Sequence, residues 1–306
     1  MSPRASAAEL VRRDFPLARL TTIGTGGASE YFARAGAERE LIELLAWAGE
    51  RELQVSVLGS GSNLLVADAG VRGLVIKLDR TLAAIELDGE RMRCGGGARL
   101  PSVAARAASA GLAGIEFGVN IPGTVGGAVR MNANAYGGEL ARVLEWVELA
   151  SAQGLERRCV QQLGLAYRRS NLREGEVVAA VSLLLEAADP AAVKARLADM
   201  RRRRHEAQPR GIRTFGSTFK NPSDARAGGR SAGLLLAEAG CNGVAIGGAR
   251  FAPKHANFIE NTGGASTADV LALMAEGRRR VLERFGVELE PEVQRLGELR
   301  FPWEGE

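Results

Sequence analysis

The chain of 306 residues is 46% hydrophobic and 25% charged, which is ordinary for a globular protein with two or three domains. The net charge of +4 is small, and the densest basic run, 201–204, lies in a helical pattern beside Glu206, so no nucleic-acid site is expected. No apolar run approaches the ~18 residues of a membrane span, and the N-terminus lacks the apolar core of a signal peptide. These features predict a cytoplasmic protein that needs no membrane.

The cysteines and histidines predict no metal site. Cys94, Cys159 and Cys241 are odd in number, far apart and in no metal-ligand spacing, and there are only two histidines. We therefore expect buried, reduced thiols.

Hydrophobic periodicity predicts alternating helices and strands along the whole chain. Residues 37–51 form the clearest amphipathic helix, and Ser266 or Thr267 is a suitable N-cap for the last helix. In chain order the pattern predicts a helix at 37–51, strands at 55–58, 64–66, 73–78, 85–87 and 92–94, a helix at 101–110, strands at 143–150 and 177–185, a helix at 191–206 opened by Pro190, a linker at 208–211, a helix at 233–239, strands at 244–246 and 258–259, and a helix at 267–285.

Two glycine-rich stretches suggest a phosphate site. In 118–139, GVNIPGTVGGAVRMNANAYGGE, the glycines Gly123, Gly126 and Gly127 can present bare N–H groups to a phosphate. The stretch 58–66, LGSGSNLLV, follows a predicted strand and can close on the same pyrophosphate. The alternative is that these glycines only make tight turns. Neither GxGxxG nor GxxxxGK[ST] occurs, so a Rossmann site or a P-loop has no local support.

Together these stretches resemble the UDP-N-acetylenolpyruvoylglucosamine reductase family of peptidoglycan precursor synthesis. Further matches, in the family's order, extend over nearly the whole chain: TTIGTGG at 21–27, YRRS at 167–170, GSTFKNP at 216–222, AG at 232–233, KHANF at 254–258 and GVELEPEV at 286–293.

The resemblance implies an α+β protein with the two-subdomain FAD-binding fold of vanillyl-alcohol oxidase and a C-terminal α+β substrate-binding domain. The implied boundaries are 1–79 and 80–187 for the subdomains, 188–206 for a bridging helix and 207–306 for the substrate domain. Non-covalent FAD would be bound by Gly59, Ser60, Gly61, Ser62, Asn63, Leu64, Pro122, Gly123, Thr124, Gly126, Gly127, Asn132 and Ala135.

The implied reaction is reduction of UDP-N-acetylglucosamine enolpyruvate to UDP-N-acetylmuramate. NADPH gives hydride to FAD, and the flavin passes it to C3 of the enolpyruvyl group. The catalytic residues implied by the motifs are Arg168, Ser217 and Glu292. The resemblance also suggests a UDP-sugar site formed by Tyr136, Lys220, Asn221, Lys254, His255 and Asn257. No obligatory protein partner is implied.

Three positions depart from the family pattern. Asn134 stands where glycine is usual, and we expect it to tolerate a left-handed turn. Leu234 replaces a common lysine, which argues against phosphate binding at the start of that helix. Phe215 stands where a small residue is usual, which changes the expected shape of the pocket. The short stretch between Arg168 and Ser217 indicates the subtype without a tyrosine-bearing lid loop. Two other functions stay open: a flavin oxidase or dehydrogenase of the same superfamily acting on another small molecule, and a non-catalytic nucleotide-sugar-binding protein.

Overall fold

The computed structural model describes residues 6–304, whose internal contacts form two compact units. Unit 1 contains residues 6–14, 30–60 and 72–204, and unit 2 contains residues 15–29, 61–71 and 205–304. Part of the prediction about an export signal concerns residues 1–5, which lie outside the described residues. The subdomain boundaries given above remain predictions.

The described residues form an α+β arrangement of helices and short sheets. The helices are α1 (Ala7–Leu10), α2 (Glu38–Gly49), α3 (Leu100–Ser109), α4 (Val125–Arg130), α5 (Pro190–Ala207), α6 (Ala232–Glu238) and α7 (Thr267–Phe285). The strands are β1 (Arg12–Pro16), β2 (Ala28–Ala35), β3 (Val55–Val57), β4 (Leu64–Val66), β5 (Val71–Leu78), β6 (Ile85–Asp88), β7 (Arg91–Gly95), β8 (Leu112–Ala113), β9 (Asn134–Ala135), β10 (Gly138–Glu139), β11 (Leu144–Ser151), β12 (Gly154–Cys159), β13 (Val177–Leu184), β14 (Glu186–Ala187), β15 (Ala245–Ile246), β16 (Ala249–Phe251), β17 (Ile259–Asn261) and β18 (Gln294–Leu296). Within 6–304, every helix is too short or too polar to cross a membrane.

Two sheets organise unit 1, with strand orders β1-β2-β5-β3 and β12-β11-β13-β7-β6. Strand β13 is buried on both faces, because its side chains enter two different cores and a register shift between Val178 and Ala180 interrupts their alternation. Val177 and Ala179 pack in one core with α2, whereas Val178 and Val181 pack in the other core with α3. The strand predicted at 177–185 is confirmed, and its almost unbroken apolar sequence suits burial on both faces.

A buried carboxylate links the segment before α4 to α5 within unit 1. Glu116 accepts hydrogen bonds from the Gly114 N–H at 2.7 Å and from Arg196 Nε at 2.9 Å. Burial alone would raise the pKa of Glu116, but these bonds and the arginine charge hold it below its usual value. The ion pair therefore stabilises unit 1 while Glu116 is ionised.

Unit 2 packs α6 and α7 with the antiparallel sheet β15-β16-β17, and β18 runs parallel to β4. Ser266 caps α7 as predicted, since its Oγ accepts the Asp269 N–H at 3.0 Å. Phe215 is 1% exposed and belongs to this core, whereas Leu234 is 47% exposed on α6. The large side chain at 215 thus serves packing within unit 2.

The thiol prediction was partly wrong. Cys94 and Cys241 are buried, but Cys159 is exposed. Cys159 ends β12, which is the edge strand of its sheet, so part of its surface faces solvent.

Candidate functional site

The glycine-rich stretch of unit 1 contains the first turn of α4 instead of an open loop. Thr124 is the N-cap, and its Oγ1 accepts the Gly127 N–H at 3.4 Å. The N–H of Gly126 donates to the carbonyl oxygen of Gly96 at 2.8 Å. The expectation of three bare N–H groups is therefore wrong for Gly126, which bonds to the turn after β7, and for Gly127, whose N–H is capped by Thr124. Among the described residues, no hydrogen bond occupies the N–H of Gly123.

Two glycines of this stretch have space beside them. A Cβ atom on Gly123 would meet only Ile121 Cγ2, at 3.8 Å, and one on Gly127 only Thr124 Oγ1, at 3.6 Å. Packing among the described residues therefore does not require glycine at either position. A bound phosphate group would use that space, because backbone without a Cβ allows close approach. The residues present fit the pyrophosphate of FAD.

The two predicted glycine-rich loops meet within unit 1. A Cβ on Gly59 would lie 2.6 Å from Thr124 Oγ1, so only glycine permits this approach. Lys77, which the sequence analysis missed, donates from Nζ to the carbonyl oxygen of Gly59. Burial is the main cause that lowers the pKa of Lys77. A lysine inside the apolar run GLVIKL of β5 is the signal that could have identified it.

The second predicted loop crosses from unit 1 to unit 2 after Ser60. Gly61 has φ +63°, and a Cβ there would lie 2.1 Å from the Leu20 carbonyl oxygen. Asn63 donates from Nδ2 to the Glu292 carbonyl oxygen at 3.2 Å. Its Oδ1 is buried and has no hydrogen-bond partner in the described part of the chain. An unpaired buried acceptor fits a donor group of a ligand. The other predicted cofactor residues comprise Ser60 and Pro122 in unit 1 and Ser62 and Leu64 in unit 2.

Asn132 organises the end of the glycine-rich stretch. It is fully buried, and its Nδ2 donates to Glu139 Oε1 at 2.5 Å and to the Ala166 carbonyl oxygen at 3.3 Å. Its Oδ1 accepts the Ala141 N–H at 3.2 Å. These bonds fix the hairpin β9–β10, which includes Ala135, to the segment before Arg168.

Arg168 lies in a tight turn of unit 1. The backbone groups of Ala166 and Arg169 bond to each other at 2.9 and 3.0 Å, and Arg168 between them has φ 56°. Its Nη1 donates to Asn134 Oδ1 at 2.9 Å. The φ angle of Asn134 is not positive, and the hairpin turns through Tyr136 and Gly137, which do have positive φ angles. The expectation of a left-handed turn at Asn134 is therefore wrong, and its contact with Arg168 was missed.

Ser217 and Glu292 lie on neighbouring backbone segments of unit 2. Ser217 forms an antiparallel bridge with Phe258, and the Thr218 N–H donates to the Asn257 carbonyl oxygen at 2.8 Å. On the other side, the Glu292 N–H donates to the Thr218 carbonyl oxygen at 2.9 Å. The motifs that carry the two residues therefore form adjacent segments.

Several predicted substrate residues hold the backbone of unit 2. Asn257 is buried and clamps Phe219, accepting its N–H at 2.9 Å and donating to its carbonyl oxygen at 2.8 Å. The Oδ1 of Asn221 accepts the Ala232 N–H at 3.1 Å. Burial lowers the pKa of His255, whose ring packs 4.9 Å from that of Phe258. These contacts stabilise the backbone of unit 2, and they do so independently of any ligand.

The cationic side chains and the tyrosine are more accessible. Lys220 Nζ lies 3.1 Å from Glu290 Oε2, and exposed Lys254 donates from Nζ to the His205 carbonyl oxygen at 3.0 Å. Tyr136, in unit 1, is 43% exposed. Each keeps surface for a ligand.

Comparisons with known proteins agree along the chain. The FAD binding domain family matches residues 29–159, and the UDP-N-acetylenolpyruvoylglucosamine reductase C-terminal domain family matches residues 208–296. UDP-N-acetylenolpyruvoylglucosamine reductase 2 of Symbiobacterium thermophilum is 43% identical over 96% of this chain and 94% of its own. The reductase of Anaeromyxobacter dehalogenans is 44% identical, over 94% of this chain and 85% of its own. The crystal structure of the Thermus caldophilus reductase superposes with a TM-score of 0.80 and 37% identity, covering 94% of this chain and 98% of that one.

The matched FAD domain and the α+β fold define a flavin-dependent oxidoreductase. The full-length similarity is more specific: the chain belongs to the UDP-N-acetylenolpyruvoylglucosamine reductase family, which acts in peptidoglycan precursor synthesis. The predicted family, fold class and FAD cofactor are confirmed.

Proposed function

We propose that the chain reduces UDP-N-acetylglucosamine enolpyruvate to UDP-N-acetylmuramate with NADPH as the hydride donor. The observation that best supports this reaction is the pairing of the Ser217 and Glu292 segments through Thr218, within a chain that belongs to the reductase family. A proton donor and an acidic side chain on adjacent backbone segments suit the reduction of a polarised double bond. NADPH and UDP-sugars are cytoplasmic metabolites, so we place the reaction in the cytoplasm.

When bound, FAD would supply the chemistry for hydride transfer between NADPH and C3 of the enolpyruvyl group. The residues that would hold its pyrophosphate are Gly59, Ser60, Gly61, Ser62 and Asn63 of one loop and the segment from Pro122 to Gly127 of the other. The space beside Gly123 and Gly127 and the unoccupied N–H of Gly123 among the described residues support this assignment. Leu64, Asn132 and Ala135 shape the same predicted site.

Arg168, Ser217 and Glu292 are the proposed catalytic residues. When hydride reaches C3, negative charge develops at C2 and spreads into the adjoining carboxylate. The guanidinium of Arg168 binds that carboxylate through its planar pair of donors. Glu292, in its protonated form, donates a hydrogen bond to the same group. Ser217 donates the proton to C2, and a neighbouring group or water replaces it.

The UDP-sugar binds through cations and hydrogen-bond donors in this proposal. Lys220 and Lys254 offer positive charge to the diphosphate, because a compact ammonium group is a good phosphate ligand. His255 and Asn257 contribute through the backbone segment that they order, and Asn221 through the loop that it caps. Tyr136 offers an exposed ring and hydroxyl.

Anaerobic spectroscopy tests the proposal directly. Purified protein should be yellow, NADPH should bleach the flavin, and the enolpyruvyl substrate should restore the colour with formation of UDP-N-acetylmuramate. Acid precipitation should leave the FAD in the supernatant. Restoration of the colour by oxygen but not by the enolpyruvyl substrate would instead support an oxidase.

A further inference from the structure

We propose that Asn134 is a positioning residue that holds the Arg168 guanidinium through a neutral acceptor. The inference rests on the proposed function, because it assigns Arg168 to substrate binding. Arg168 Nη1 lies 2.9 Å from Asn134 Oδ1 and 3.4 Å from the Asn134 carbonyl oxygen. The side chain and backbone of Asn134 therefore grip the same guanidinium nitrogen.

Asn134 is well suited to fix the arginine, because its own backbone is anchored twice. It pairs with Glu139 across the hairpin β9–β10. The neighbouring Asn132 ties this hairpin to Ala166, at the first position of the turn that carries Arg168. Hairpin and turn therefore form one connected structure within unit 1. The Tyr167 ring, whose centroid lies 5.2 Å from Arg168 Cζ, also contacts this guanidinium, and the Asn134 acceptor sets the direction of its Nη1 donor.

The chemistry of the pair explains why an amide is suitable here. A guanidinium only donates hydrogen bonds, so the amide must present its oxygen and not its nitrogen. An amide oxygen orients the arginine without neutralising it. A carboxylate at the same position would satisfy the same donor, but it would offset the positive charge that the substrate carboxylate requires. Asn134 thus preserves both the direction and the charge of Arg168.

Two variants separate these effects. Asn134→Ala removes the acceptor, and Asn134→Asp keeps an acceptor but adds a negative charge. In anaerobic stopped-flow measurements, NADPH should bleach both variants within about twofold of the wild-type rate. Recolouring by the enolpyruvyl substrate should slow roughly tenfold in Asn134→Ala, since one charge-assisted bond is lost. Asn134→Asp should be slower still, and its apparent substrate affinity should fall further.

A double-mutant cycle distinguishes positioning from a general structural role. In an Arg168→Ala background, whose flavin retention verifies its folding, Asn134→Ala should cause no further slowing of recolouring. Any of three results would overturn the inference. They are equal slowing of bleaching and recolouring, additive losses of rate in the double variant, and recolouring of Asn134→Asp at the wild-type rate. If the wild-type enzyme itself is not recoloured by the substrate, the proposed function fails and this inference fails with it. Wild-type recolouring with an unaffected Asn134→Ala would refute the positioning role alone.

Discussion

Replacing Ser217 by alanine should separate the two half-reactions of the enzyme. The structure predicts little effect on folding, because the backbone bridge to Phe258 and the bonds of Thr218 to Asn257 and Glu292 involve no serine hydroxyl. Ser217 is half-buried, and no hydrogen bond of its Oγ occurs among the described residues. The substitution therefore removes a proton donor without removing a structural bond.

The loss should be confined to reduction of the substrate. Hydride transfer from NADPH to the flavin needs no proton from Ser217, so bleaching should proceed at close to the wild-type rate. General acid catalysis typically contributes ~10²–10⁴-fold. Recolouring by the enolpyruvyl substrate should thus slow by at least about two decades, which corresponds to roughly 2.7 kcal/mol of barrier.

Anaerobic stopped-flow absorbance of the flavin measures both steps in one preparation. Thr218→Val is a matched control, because it removes the adjacent hydroxyl, whose Oγ1 is buried without a partner in the described part of the chain. That control should recolour normally and fold at least as stably as wild type. Equal slowing of both steps in Ser217→Ala would indicate damaged cofactor geometry. Unchanged recolouring would remove Ser217 from the mechanism.

Three further predictions concern the cofactor, the thiols and pH. Gly123→Val should fold normally, because the described residues leave room for its side chain. It should retain at least about tenfold less FAD, measured by absorbance after desalting, because the valine occupies the space assigned to the phosphate. Full FAD occupancy would contradict the phosphate assignment. Native protein should react with one equivalent of a thiol reagent at Cys159 and Cys159→Ser with none, since burial raises the pKa of Cys94 to about 12 and of Cys241 to about 11. Glu116→Gln should lower the urea midpoint at pH 7 by an amount equivalent to about 1–3 kcal/mol. Because the pKa of Glu116 is lowered by folding, this difference should be present above its unfolded value of ~4.3 and vanish as the pH falls through the folded value; a constant difference would refute it.

The elements that the sequence predicted well are those determined by local signals. Helix α7 has a capping box at Ser266 and an apolar face, and β13 is apolar except at Ser182. Strand β12 was missed because it is an edge strand with the sequence GLERRC, which has no core-facing pattern. The same edge position exposes Cys159, which composition alone had suggested would be buried. Local patterns therefore predict an element well when its environment is uniform along its length.

The candidate site was predictable in composition but not in contacts, because its decisive partners are distant in sequence. Gly126 and Gly123 look equivalent in the motif, yet Gly126 bonds to Gly96 in the turn after β7, whereas a Cβ on Gly123 would meet only Ile121. From the sequence, Asn134 resembles a turn residue, but in the structure its side chain accepts a hydrogen bond from Arg168, 34 positions away. A glycine whose Cβ would make only ordinary van der Waals contact has no packing reason to be glycine. In this site, such glycines are therefore better evidence for a bound phosphate than the number of glycines in the motif.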